Sequence, residues 1–195
     1  MGGTTAVLSR PCPPVTDAPP AGTWAVDPGR ARVAVSGRAG FLAPTISARF
    51  PEVAGAVVAG EPTDRIRVEV DVTSMTTGNP AYDELIAVAD PFDAARFPIA
   101  VYESDRVRWS ATGADVEGRL TLRGRTATVA LTASYDTGRA GCTAAPGARM
   151  VVRAAGTVDR EAFGLRFDLP GLGRLVPRQL RLDVDVDVVL LEPVG

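Results

Sequence analysis

The chain has 195 residues, 46% hydrophobic and 23% charged, which is ordinary for a globular protein and long enough for one domain with a real core. Its 21 basic residues against 23 acidic ones leave a net charge of −2, without the basic surplus that phosphate contacts need, so nucleic acid is not an expected partner. Histidine is absent altogether, which removes the usual general base, the Ser-His-Asp and Cys-His nucleophile systems and the commonest zinc ligand.

Residues 1–21 are rich in Pro, Thr and Ala with no periodicity, and they predict a disordered leader ahead of a domain spanning 22–193. This leader lacks the apolar stretch of a secretory signal, and no run approaches the roughly 18 apolar residues of a membrane span. The expectation is a cytoplasmic protein that does not span a membrane. Cys12 and Cys142 sit far apart in Pro- and Gly-rich segments, where free thiols are expected rather than a disulfide.

From Thr23 the texture changes to short alternating segments, with strands predicted near 24–26, 30–38 and 46–58. "RIRVEVDV" puts Ile66, Val68, Val70 and Val72 on one face and Arg65, Arg67, Glu69 and Asp71 on the other. "NPAYDELIAVADPFDAARFP" breaks the pattern. Its apolar residues are irregularly spaced and Pro91 and Pro98 act as stops, which predicts a short helix followed by an extended elbow. Strands are predicted again near 99–110, 114–123, 126–136 and 149–160. Within them, "GRLTLRGRTATVAL" reads as a hairpin around Arg123-Gly124-Arg125, with Val116, Gly118, Leu120 and Leu122 facing Ala127, Val129 and Leu131. Loops are expected at 137–148 and 169–177. "LRLDVDVDVVL" closes the chain with Leu180, Leu182, Val184, Val186 and Val188 opposite Arg181, Asp183, Asp185 and Asp187. Successive strand carboxylates diverge instead of wrapping an ion, so this face predicts solvated sheet and no metal site.

Many antiparallel strands with so little helix must cover their apolar faces by stacking or by closure. An eight-stranded barrel has an interior that side chains fill or that holds one small ligand, and pattern alone leaves both open.

Several stretches, taken in order, resemble the YceI-like family of lipocalin-like proteins that bind polyisoprenoids and related amphiphiles. Trp24, Asp27 and Pro28 look like its opening Trp-x-x-Asp-Pro; Phe50 and Gly55 like its Phe-x-x-x-x-Gly segment; "DPFDAARFP" like its aromatic-Pro elbow. Gly118-x-Leu120-Thr121-Leu122-x-Gly124-x-Thr126-x-x-Val129 is similar to its hairpin, Arg160-x-x-Phe163-Gly164 to a following motif, and "VPRQLRLDVDV" to its closing strand. The chain departs from the family where Arg30, Ala39 and Leu85 replace His, Tyr82 replaces Arg and Pro91 replaces Phe. The resemblance implies an all-β fold, an eight-stranded antiparallel lipocalin-like barrel with a short helix and elbow inserted, and an apolar tunnel for a ligand tail. It also implies partners: a lipophilic small molecule and, since family members often pair, a second copy in a homodimer.

A cavity lined by Val70, Val72, Val129, Leu131, Leu182 and Val184, with Phe50, Leu85, Leu120 and Leu122, would be dry. It would reward hydrocarbon burial at about 0.8 kcal/mol per CH₂. Tyr82, Tyr102, Trp109, Phe92, Phe97 and Phe163 are candidates for its mouth or plug. Every one of these residues is equally compatible with ordinary core. Arg123 and Arg125 read as solvated turn residues that could meet an anionic head group. Arg160 reads as one half of a structural ion pair with Asp27 or Asp83. The leading expectation is a non-catalytic carrier of an isoprenoid quinone, polyprenyl chain or fatty-acid derivative, with no cofactor. An enzyme in the same barrel would need a buried carboxylate near the cavity, and Glu103, next to Tyr102, is the candidate. A filled barrel acting through its outer surface is the third alternative.

Overall fold

The computed structural model describes residues 18–38, 40, 43, 45–60, 64–136, 145–167 and 176–193. Most of the predicted leader, both cysteines and the centres of the 137–148 and 169–177 loops lie outside the described residues. Nine strands follow in chain order: β1 (Gly22–Arg38), β2 (Thr45–Phe50), β3 (Val53–Ala59), β4 (Arg65–Asp71), β5 (Ile99–Ser110), β6 (Gly113–Leu122), β7 (Arg125–Asp136), β8 (Arg149–Asp159) and β9 (Gln179–Pro193). One helix, α1 (Pro80–Ala89), is inserted between β4 and β5.

Every strand pairing is antiparallel, and the ring β1-β3-β4-β5-β6-β7-β8-β9 closes where β9 pairs with β1. β2 and β3 lie one after the other along the same side of β1 and together count as one barrel strand, giving the eight-stranded closed barrel. The single strand expected at 46–58 is thus interrupted at Pro51-Glu52, because proline has no N–H to give a ladder. Conversely, 24–26 and 30–38 form one long strand.

Alternation puts the apolar set of each strand inside, and two bulges keep it there. On β1, Trp24 and Val26 face inward at even positions. After Asp27–Arg30 the register shifts, and Ala31 and Val33 are buried at odd positions. On β5, Ala100 and Tyr102 face inward, Asp105 is the extra residue, and Val107 and Trp109 then pack against the core. Without these insertions each strand would turn its apolar residues to water halfway along.

The β6–β7 hairpin pairs Leu122 with Arg125 across a two-residue turn in which Arg123 (φ 53) and Gly124 (φ 68) both take positive φ. That is the mirror-image turn whose twist matches the flanking strands. α1 starts on Asn79, whose side chain accepts from the Ala81 N–H at 3.1 Å, with Pro80 in the first helical position. It stops at Asp90, a left-handed residue (φ 36). The elbow that follows is coiled rather than extended. Asp90 and Asp93 both have positive φ, the Asp90 carboxylate accepts from the Ala94 N–H at 2.8 Å, and Phe97 N–H donates to Asp93 O at 2.8 Å.

The two ends of the barrel differ. One is plugged by Trp24, Met150 and Leu190, each about 1% exposed, and burial of such side chains contributes about 1.5–3 kcal/mol apiece. Trp24 Nε1 donates to Pro20 O at 3.0 Å and Pro19 is buried, so the last residues of the predicted leader pack on the barrel. α1, the elbow and the β8–β9 connection lie at the other end.

Candidate functional site

A cavity of about 460 Å³ occupies the barrel interior and reaches its α1 end. The wall takes Ile66, Val68 and Val70 from β4, Leu120 and Leu122 from β6, and Leu131 and Ala133 from β7. β8 adds Val152, Ala154 and Val158, and β9 adds Leu180 and alternate residues through Val188. No charged side chain lines it among the described residues. Its polar lining residues are Ser36, Thr45 and Ser47 on β1–β2, Thr77, Asn79 and Tyr82 around the start of α1, and Tyr102 on β5.

Of the residues singled out from sequence, Phe50, Val70, Val72, Phe92, Tyr82 and Tyr102 border the cavity, as do Leu120, Leu122, Leu131, Leu182 and Val184. Phe50 and Phe92 meet edge to face at 6.0 Å, joining β2 to the elbow. The rest do not line it. Leu85 is absent from the wall because the helical repeat puts Tyr82 and Ile86, four residues apart, on the side of α1 that borders the cavity, Ile86 buried and Tyr82 still exposed at its rim. Phe97 packs over the hairpin turn, where a Cβ on Gly124 would stand 2.9 Å from its ring. Trp109 packs edge to face on Tyr135 at 6.0 Å near the plugged end. Val129 and Phe163 are buried in packed core, 4% and 0% exposed.

Sequence reasoning missed Ala100, Ala154 and Val152, which share the alternation it used elsewhere. It also missed Leu165 and Phe167, which the β8–β9 connection brings to the cavity without any periodic signal.

Tyr102 is the one titratable wall group held deep in the barrel. Its ring lies across Gly118, where a Cβ would stand 2.6 Å from the phenol oxygen, and its hydroxyl donates to Val129 O at 3.1 Å. Burial, with a smaller contribution from the Asp105 charge, pushes its pKa up to about 12, so it is neutral and bonded at neutral pH. Glu103, its neighbour, points the other way and pairs with Arg67 on the outer surface, which removes it as an acid or base for the cavity.

Arg160 does not form the expected ion pair. Its Nε donates to Pro177 O at 3.1 Å and its Nη1 to Leu165 O at 2.8 Å. Asp27 instead pairs with Arg149 at 2.8 Å, and that guanidinium holds its carboxyl below the usual range. Asp83 accepts from Thr76 Oγ1 at 2.7 Å and from Thr77 N–H at 2.6 Å. The Thr77 hydroxyl is the largest cause holding its carboxyl below the usual range, and these bonds fasten α1 to the segment before it. Arg123 is not a free turn residue either, since its Nη1 donates to Gly164 O at 2.6 Å.

Among the described residues no group of three or more His, Cys, Asp or Glu could hold a metal ion, and no helix is long and apolar enough to cross a membrane.

Comparison with curated proteins gives no match. Solved structures do resemble the chain. A BcnA protein of Burkholderia cenocepacia superposes with a TM-score of 0.67 at 19% identity, covering 83% of this chain and 98% of that one. A Campylobacter jejuni YceI protein gives 0.63 at 15% identity over 78% and 90% of the two chains. A domain from Saccharophagus degradans, described as polyisoprenoid binding and implicated in plant cell wall breakdown, gives 0.60 at 16% identity over 86% and 98%. These likenesses establish the fold. The family model for the YceI-like domain matches residues 24–188, nearly the whole barrel, and the chain belongs to that family.

Proposed function

We propose that this protein binds a long-chain lipophilic small molecule in the barrel interior without chemically changing it, as a carrier or a sequestering protein. The observation that carries the reading is the 460 Å³ cavity with its uncharged hydrocarbon wall, a size within the range of small-molecule sites. Ten methylenes moved from water into such a wall gain about 8 kcal/mol, enough to offset much of the cost of association. A polyisoprenoid, an isoprenoid quinone or a fatty-acid derivative has the required chemistry, and the description of the Saccharophagus degradans domain supports the first. No described wall residue supplies an acid–base pair at neutral pH, which favours binding over catalysis.

The test is native mass spectrometry of delipidated protein titrated with an isoprenoid quinone and a long-chain fatty acid. Uptake of one molecule per barrel is expected. In Ala154→Phe the new ring occupies the cavity, and uptake falls about tenfold or more with the urea midpoint unchanged or raised. No uptake by the native barrel, or undiminished uptake by Ala154→Phe, overturns the proposal.

A further inference from the structure

α1 carries two apolar stripes. Tyr82 and Ile86, four residues apart, border the cavity. Ala81, Leu85 and Val88, spaced i, i+4 and i+7, form the second stripe, and all three are exposed. Val88 is 81% exposed and Leu85 46%. A surface helix ordinarily turns polar and charged residues to water. Here the exposed residues are Ala81, Tyr82, Glu84, Leu85, Ala87 and Val88, and Glu84 alone carries a charge. Asp83 is occupied with Thr76 and Thr77. Among the described residues five large hydrophobic side chains are exposed, and four lie at this end of the barrel: three on α1 and Ile99 at the start of β5. Single exposed apolar residues are ordinary, whereas a cluster of them marks a contact surface.

Two features bear on what meets this face. The first is continuity with the cavity. Tyr82 both lines the cavity and is 46% exposed, so α1 carries apolar surface from the cavity rim round to its outer stripe. The second is size. A ten-residue helix is about 15 Å long and about 10 Å wide, well short of the roughly 800 Å² that each partner of a stable protein pair contributes. A bilayer asks for no matched surface, only for side chains that enter the boundary between head groups and acyl chains. Tyrosine is favoured at that boundary, and α1 has no Lys or Arg to draw it to anionic lipid.

We infer that the outer face of α1 docks on a lipid bilayer, where the protein collects or delivers its ligand by contact rather than through water. The delivery role rests on the cavity-binding reading above. With Leu85 and Val88 in the interface, the cavity rim at Tyr82 stands against the phase in which a long-chain amphiphile dissolves. Few side chains insert, so the contact is weak and reversible, and Glu84 at its edge makes zwitterionic lipid a better surface than anionic lipid.

Transfer of cis-parinaric acid, a fluorescent long-chain fatty acid, from the full chain to phosphatidylcholine vesicles carrying an energy acceptor tests this. The rate should rise in proportion to vesicle concentration. It should fall about tenfold in the Leu85→Gln, Val88→Gln double variant, with parinaric acid affinity and the urea midpoint unchanged. Leu191→Gln, which alters an exposed leucine at the plugged end, should transfer like the parent. The ligand-free chain should also raise the surface pressure of a phosphatidylcholine monolayer, and the double variant much less. A rate independent of vesicle concentration, or one that the double substitution leaves unchanged, overturns the docking surface while leaving the cavity reading intact. A dimer in solution that the double substitution dissociates assigns the face to a second copy and overturns the bilayer. Monolayer penetration without uptake of parinaric acid overturns the cavity reading and the delivery role, while the docking surface stands. Neither uptake nor penetration overturns both.

Discussion

Gly118→Ala is the most informative single perturbation of the barrel wall. An added Cβ would lie 2.5 Å from the Glu103 carbonyl oxygen, 2.6 Å from the Tyr102 hydroxyl and 2.7 Å from the ring carbon bearing it. The first neighbour is backbone in the β5–β6 ladder and gives little. The second is the tip of a buried side chain and must move. Overpacking of this kind costs about 1–3 kcal/mol. Moving the phenol breaks its 3.1 Å bond to Val129 O and leaves a buried hydroxyl unpaired, a further cost of about 1–3 kcal/mol. Urea unfolding should therefore show a loss of about 2–6 kcal/mol with an unchanged m-value. In a Tyr102→Phe background there is no hydroxyl to displace, so the same substitution should cost about 1 kcal/mol less, a coupling that a double-mutant cycle measures. A Gly118→Ala protein within about 0.5 kcal/mol of the parent would refute the idea that this glycine exists to seat the tyrosine.

Two pH-dependent outcomes follow from the same structure. Ultraviolet titration of the three tyrosines should show one ionising at about 12, and Tyr102→Phe should abolish that step. Because the fold holds this phenol neutral, its contribution is complete below the unfolded value near 10 and is lost as pH climbs from there toward 12. For Asp83 the sign is opposite. Its carboxyl is held below its ordinary value of 3.8, so the stability it confers is present above that value and lost as pH falls through the depressed one. Amide exchange of α1 should accelerate on acidification through that range, and Asp83→Asn should show fast exchange already at neutral pH; equal protection of α1 in both proteins at neutral pH would refute the anchoring role.

The strands were legible where the rule that makes them is local. Alternation in β4 and β9 marks one face as apolar over the whole strand, and that is the face the barrel buries. The bulges were not legible, because Asp27–Arg30 and Asp105 register as breaks in the pattern, whereas structurally they carry it on. The coiled elbow was missed for a related reason. Pro91 and Pro98 suggest extension, but the two aspartates that accept positive φ and cap the turns decide its path. The cavity itself lay beyond reach, since Val70 borders it and Val129 is packed, yet both are β-branched residues on the inner face of a strand. What separates them is the closure of the ring and the size of their neighbours across it, neither of which alternation records. Arg160 shows the same limit from the polar side: spacing suggested a charge partner, and the fold supplied two carbonyls.

The seam between β1 and β9 has a consequence for how the barrel is made. Trp24 faces Leu190 and Val35 faces Leu182, so the wall is completed by residues more than a hundred and forty positions apart. Pairings this distant in sequence fold slowly, and during synthesis the first strand waits until nearly the entire barrel has emerged. Until then the other strands can form only a curved, unclosed sheet with its apolar face open along one full side. A hydrocarbon chain lying on that face would be enclosed as the last strand docks, with no need to thread past α1. Loading at birth and loading of the finished barrel are then two kinetically separate routes to the same filled state.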